Sequence, residues 1–71
     1  MSKEKLSIGL NIRRLRKKKG ISQDKLSKIA DVTYPTIIKL ESGGNDNPTI
    51  KTLIKIADAL DVSIDDLITS I

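Results

Sequence analysis

The stretch ISQDKLSKIADVTYPTIIKL, from Ile21 to Leu40, holds two helical patterns of barely two turns each, separated by Asp31, Val32 and Thr33. Helices this short are marginal alone in water, so each must bury a face against the rest of the chain. The chain has 71 residues, which calls for one domain, 1–71. A core of that size contributes about 3–5 kcal/mol of net stability. Small domains often add a disulfide, a metal or a partner subunit. With no Cys and no His, disulfides and the usual zinc sets are excluded, and neither a metal nor a cofactor is expected. Good helix packing, oligomerisation or both must hold the fold. No stretch sustains the apolar–polar alternation of a strand, so the expected class is all-α.

Five helices can be placed. Ile8, Ile12 and Leu15 form one stripe of a helix running to about Lys19, where Gly20 supplies a left-handed stop. Ser22 caps a second helix, with Asp24 in its first turn and Leu26, Ile29 and Ala30 inside. Thr33 caps a third, in which Pro35 is tolerated because first-turn N–H groups lack intrahelical partners. Ile37, Leu40 and Glu41 mark its inner face, and Gly43-Gly44 end it. The segment Gly43–Pro48 is a turn-rich loop. Thr49 caps a fourth helix carrying Ile50, Leu53, Ile54, Ala57 and Leu60. Ser63, with Asp66 at the capping-box position, opens a short fifth helix backed by Leu67, Ile68 and Ile71. The chain holds no internal repeat, low-complexity stretch or second domain.

Two short helices joined by a tight turn form a helix-turn-helix, here at about residues 22–41. Their close crossing needs a small residue, which Ser27 supplies, and the turn needs one that accepts φ > 0, which Asp31 tolerates. Val32 then points back to the core. With Ile37 and Leu40 inside, the third helix turns Tyr34, Pro35, Ile38, Lys39 and Ser42 outward. Motifs of this kind set the early residues of the second helix against base edges in the DNA major groove. Glu41 falls on the inner stripe, where a lone carboxylate is costly. Arg16, four residues after Ile12, is the expected partner, tying the first helix to the third. The competing reading leaves Arg16 in the basic run and Glu41 at a fraying helix end.

Leu15-Arg16, Gly20-Ile21-Ser22-Gln23, Leu26, Val32-Thr33, Pro35-Thr36-Ile37, Leu40-Glu41-Ser42-Gly43, Pro48-Thr49, Leu53, Ile56-Ala57 and Ala59-Leu60 together resemble the lambda-repressor/Cro-type (Xre) helix-turn-helix domains. The resemblance runs from about Ile8 to Leu67. Two departures stand out: Ser27 where the family usually has Ala, and Asp31 where it usually has Gly. The resemblance implies a compact five-helix, lambda-repressor-like domain with a central helix-turn-helix, and the same Arg16–Glu41 pair. It also implies a regulator that binds double-stranded DNA as a dimer at a palindromic operator.

The contacts expected of individual residues follow. Gln23, beside its cap Ser22, stands at a helix N-terminus where N–H groups and the dipole favour phosphate; in the family this Gln grips the backbone. Otherwise it is a solvated polar residue. Thr33 is a cap first, with a DNA contact added by the resemblance. Tyr34 either lies across its own helix or meets a thymine methyl or a phosphate. Pro35 sits beside it, and Thr36 is on the edge of the inner face. Lys39 reads guanine or neutralises phosphate. Ile38 packs on a thymine methyl or against a loop of the same domain. Asn47 and Thr49, at the start of the fourth helix, offer a second phosphate site. Ile56, Ile64, Ile68 and Ile71, which the inner stripes do not absorb, are the expected dimer surface, with completion of a small core as their other use.

Charge agrees with a polyanion partner. Residues 1–28 hold ten Lys/Arg against two acids, a net of +8, while residues 29–71 hold three against seven, a net of −4. The run from Arg13 to Lys19 is equally what a solvated helix C-terminus favours. An enzyme is not expected: there is no His or Cys, no P-loop spacing and no carboxylate pair in an evident cleft. Base stacking on single-stranded RNA would want several aromatics, and there is one. Neither a signal-peptide h-region nor an apolar run of about 20 residues is present, so a soluble cytoplasmic protein without membrane contact is expected. The rival reading is an interaction module, such as an antitoxin or bridging factor, whose main partner is another protein.

Overall fold

The computed structural model describes residues 7–45 and 47–69. Within them the chain forms five helices: α1 Ile8–Lys19, α2 Gln23–Ala30, α3 Tyr34–Ser42, α4 Ile50–Leu60 and α5 Ile64–Ile68. α1 packs on α3, α4 and α5, and α2 packs on α3 and α4.

Three of the four connections obey one rule. In Gly20-Ile21-Ser22, Asp31-Val32-Thr33 and Asp61-Val62-Ser63 the first residue is left-handed, with φ of 75°, 57° and 59°. The second is a β-branched apolar residue packed against the core, and the third stands at the N-cap of the next helix. The backbone closes each preceding helix with paired bonds from its last turn. Ile21 N–H reaches the Arg16 carbonyl while Gly20 N–H reaches Lys17, and Val32 and Val62 repeat this toward Ser27 and Ala57. This pairing satisfies carbonyls that a helix end leaves open, and the apolar residue beyond it seals the corner. The chain therefore turns in three residues, three times, a recurrence not apparent from composition or spacing alone.

Ile8, Ile12, Leu26, Ala30, Ile37, Leu40, Leu53, Ile56, Ala57, Leu60 and Leu67 form the core. Two stripes differ from those expected. Ile29 is 48% exposed, so α2 faces inward through Leu26, Ser27 and Ala30. On α4 the inner stripe is Leu53, Ile56, Ala57 and Leu60, whereas Ile50 and Ile54 are exposed. Ile56 is fully buried and so is no dimer surface. Ile64 and Ile68 are half-buried against the core, and Ile71 lies outside the described residues.

Two residues of α1 fasten the fold in ways the sequence pattern did not announce. A Cβ on Gly9 would stand 2.1 Å from the Leu40 carbonyl oxygen, so only glycine lets α1 cross α3 this closely. Asn11 is buried on the α5 side, and its Nδ2 donates to the carbonyls of Leu67 (2.8 Å) and Thr69 (2.7 Å). One amide thus holds the end of a helix too short to stand alone.

Candidate nucleic-acid interface

The site is built on α3. Ile37 and Leu40 anchor it from behind with almost no exposure. Successive residues step about 100° around a helix, so burial at Ile37 and Leu40 turns Pro35 and Lys39 to the opposite side. Tyr34 and Ile38, one turn apart, occupy the flank toward α1. Tyr34 is 44% and Ile38 38% exposed, and Pro35 and Lys39 are exposed as well. Thr36 is half-buried, on the edge expected for it.

Glu41 fixes the angle of the helix. Arg16 donates from Nε to Glu41 Oε2 at 2.7 Å and from Nη2 to Oε1 at 3.0 Å, with side-chain exposures of 11% and 4%. Arg16 Nη1 donates to the Ile21 carbonyl at 2.9 Å, and Gln23 Nε2 donates to Glu41 Oε1 at 3.1 Å. The Arg16–Glu41 pair therefore joins α1, the α1–α2 corner, the first turn of α2 and the end of α3. Its hydrogen bond, more than its charge, holds the Arg16 guanidinium above its ordinary range against the opposing effect of burial. Beside this network lies an open concavity of about 340 Å³ lined by Arg13, Arg16, Gln23, Ile38, Glu41 and Ser42.

Several expected roles change. Thr33 stands at the N-cap of α3, but its side chain caps no backbone N–H; its Oγ1 pairs with Thr36 Oγ1 at 2.7 Å. Gln23 turns inward to Glu41 rather than standing as a solvated residue. Ile38 borders the concavity and is more than a third exposed. Ser22, Thr49 and Ser63 do cap through their side chains. Asn47 is exposed and Thr49 opens α4, both outside the concavity that unites Gln23 and Ile38. Arg13 enters that concavity, though the sequence offered it only as part of a diffuse basic run. Its spacing of three from Arg16, on the same side of α1, is the signal that singles it out.

The profile of the Helix-turn-helix family matches residues 12–67, the span that contains all five elements' core positions after the first. The chain belongs to the helix-turn-helix family of the Cro/C1 (Xre) type. This Cro/C1-type domain is 38% identical over 62 residues to the HTH-type transcriptional regulator y4dJ of Sinorhizobium fredii, covering 87% of the chain and 79% of that protein. Among solved structures it is similar to the N-terminal DNA-binding domain of SinR from Bacillus subtilis, at 37% identity and a TM-score of 0.82, covering 84% of this chain and 87% of that one. It is also similar to the P22 c2 repressor, solved with a synthetic operator, at 32% identity and a TM-score of 0.79, covering 87% and 92%. The Cro/C1-type domain keeps its left-handed turn with Asp31 and its close α2 crossing with Ser27, which is buried and donates from Oγ to the Asp24 carbonyl at 2.7 Å. Both departures from the family pattern are thus accommodated locally.

Proposed function

We propose that residues 1–71 act as one domain, with its helix-turn-helix at about 22–41, that regulates transcription by sequence-specific binding to double-stranded DNA. The observation that carries this reading is α3 itself: it is clamped from behind by Ile37, Leu40 and the Arg16–Glu41 pair, while Tyr34, Pro35, Ile38 and Lys39 stand exposed. A helix held in this way enters a major groove with base-contacting side chains in front. The first turn of α2, with Ser22 and Gln23, and the start of α4, with Asn47 and Thr49, approach phosphates on either side. Thr33 and Thr36 flank the tip of α3. Binding as a homodimer at a palindromic operator, in the manner of a repressor in the cytoplasm, fits a domain of this size, and Ile64 and Ile68 are the dimer-surface candidates. The role is non-catalytic, in a chain that has neither His nor Cys.

Selection of bound duplexes from random DNA tests the proposal. The expected result is one preferred sequence with two related halves. Lys39→Ala, an exposed change that leaves the melting temperature unaltered, should weaken binding by about 1–3 kcal/mol and relax preference at one position if Lys39 reads a base. A uniform loss across all duplexes assigns Lys39 to phosphate instead, and absence of any preferred duplex refutes the proposal.

A further inference from the structure

The polar side chains along α3 are largely engaged within the protein. Thr33 and Thr36 pair with each other at 2.7 Å, and Ser42 Oγ donates to the Lys39 carbonyl at 3.1 Å. Glu41 is held by Arg16 and Gln23. What the helix exposes beyond these is a row of apolar surface, the Tyr34 ring, Pro35 and Ile38, together with the ammonium of Lys39. In the major groove the apolar feature of a base pair is the thymine C5-methyl group, while the other marks are hydrogen-bond donors and acceptors. A side chain such as Ile38 gains little from those marks and desolvates them without replacement.

From this juxtaposition we infer that the domain selects its DNA chiefly by methyl contact: Ile38, with Pro35 beside it, is the specificity-determining apolar surface, and it takes thymine-bearing half-sites. This inference rests on the proposal that α3 enters a major groove, and it specifies what α3 recognises there. Ile38 stands one turn after Tyr34 on the flank of α3 that borders the Arg13 concavity. The cationic wall supplied by Arg13 holds the phosphate edge while the isoleucine meets the base edges next to it. Lys39, on the opposite side from Ile37, adds at most one directional contact per half-site.

The test replaces single thymines by deoxyuridine, which removes the methyl group and leaves every hydrogen-bonding position in place. The full chain is titrated by fluorescence anisotropy against the duplex recovered by selection and against each substituted duplex. Burial of one methyl group corresponds to about a fourfold change in affinity. At one or two thymines in each half the wild-type protein should lose about that factor. Ile38→Ala or Pro35→Ala, both at exposed positions, should bind the original duplex more weakly and lose the sensitivity to deoxyuridine, while Lys39→Ala should keep it. A cytosine placed at a sensitive position should bind better as 5-methylcytosine. If a preferred duplex is bound and no deoxyuridine substitution matters, or if Ile38→Ala and Pro35→Ala keep the full wild-type sensitivity, methyl readout is overturned while DNA recognition stands. If no duplex is preferred, the proposal beneath it fails as well.

Discussion

Glu41 is the residue on which α3 hangs. Its carboxylate and the Arg16 guanidinium are both nearly excluded from water, and each has its remaining bonds met by Ile21 and Gln23. Removing one member of such a pair leaves an uncompensated buried charge, at a cost of about 3–5 kcal/mol, which equals the whole net stability expected of a core this small. Glu41→Ala should therefore be largely unfolded at 25 °C by circular dichroism, whereas replacing both Arg16 and Glu41 by apolar residues of similar volume should restore a folded domain. The raised value of Arg16 places the linked pH effect far to the alkaline side. Stability from that group is complete below the ordinary guanidinium range and is lost only as pH rises through the raised value, so the arginine introduces no pH dependence near neutrality. The pair was legible because a carboxylate interrupts an apolar stripe. Asn11 lies on the Ile8–Ile12–Leu15 stripe by the same logic, but an uncharged amide raises no comparable alarm, and its partners at Leu67 and Thr69 are more than fifty residues away in sequence. The inward turn of Gln23 was hidden for the same reason, since its acceptor lies 18 residues further on.

The connectors show what local chemistry fixes and what packing must decide. A left-handed residue, a buried apolar residue and a capping position recur at three corners, and the helix boundaries follow them closely. At two of those corners an aspartate takes the strained conformation, where glycine pays no Cβ penalty. The Lys55 contact to Asp31, 3.7 Å long with the aspartate side chain 95% exposed, offsets little of that strain. Asp31→Gly should raise stability by up to about 1 kcal/mol, seen as a rise of about 4–8 °C in the midpoint of thermal melting. A fall in that midpoint would mean that the Lys55 contact outweighs the backbone strain. The stripe on α4 was harder to read. Apolar residues at 50, 53, 54, 56, 57, 59 and 60 fit two overlapping helical stripes equally well, and only contact with α2, α1 and α5 chooses the one containing Ile56. Ile29 was misplaced in the same manner: an eight-residue helix has one inner stripe, and Ser27, small enough for the crossing, took its share of it.

Taken as a whole, the molecule carries its positive charge on α1, and its acidic excess begins at Asp58 and runs through Asp61, Asp65 and Asp66, from the end of α4 into α5. Helix rotation divides the basic run into different jobs. Arg13 borders the α3 concavity, while Arg14, a further step of about 100° around α1, is exposed away from it. Affinity for DNA should fall steeply with salt, by about 0.9 in the logarithmic slope for each phosphate neutralised. Arg13→Ala should reduce that slope by about one per protomer and Arg14→Ala should leave it nearly unchanged, as read from binding isotherms over a range of potassium chloride concentrations. Equal effects of the two would assign the run to a diffuse field. The Asn11 amide has a consequence for the wiring of the fold. Its backbone N–H reaches the Ser7 carbonyl at 2.8 Å and its side chain reaches the Thr69 carbonyl, so the residue before α1 and the residue after α5 meet at one asparagine. A short bridge from Thr69 to Ser7 would close the polypeptide into a loop, and fresh ends opened between Gly43 and Thr49 would yield a circular permutant whose helices run in the order α4, α5, α1, α2, α3.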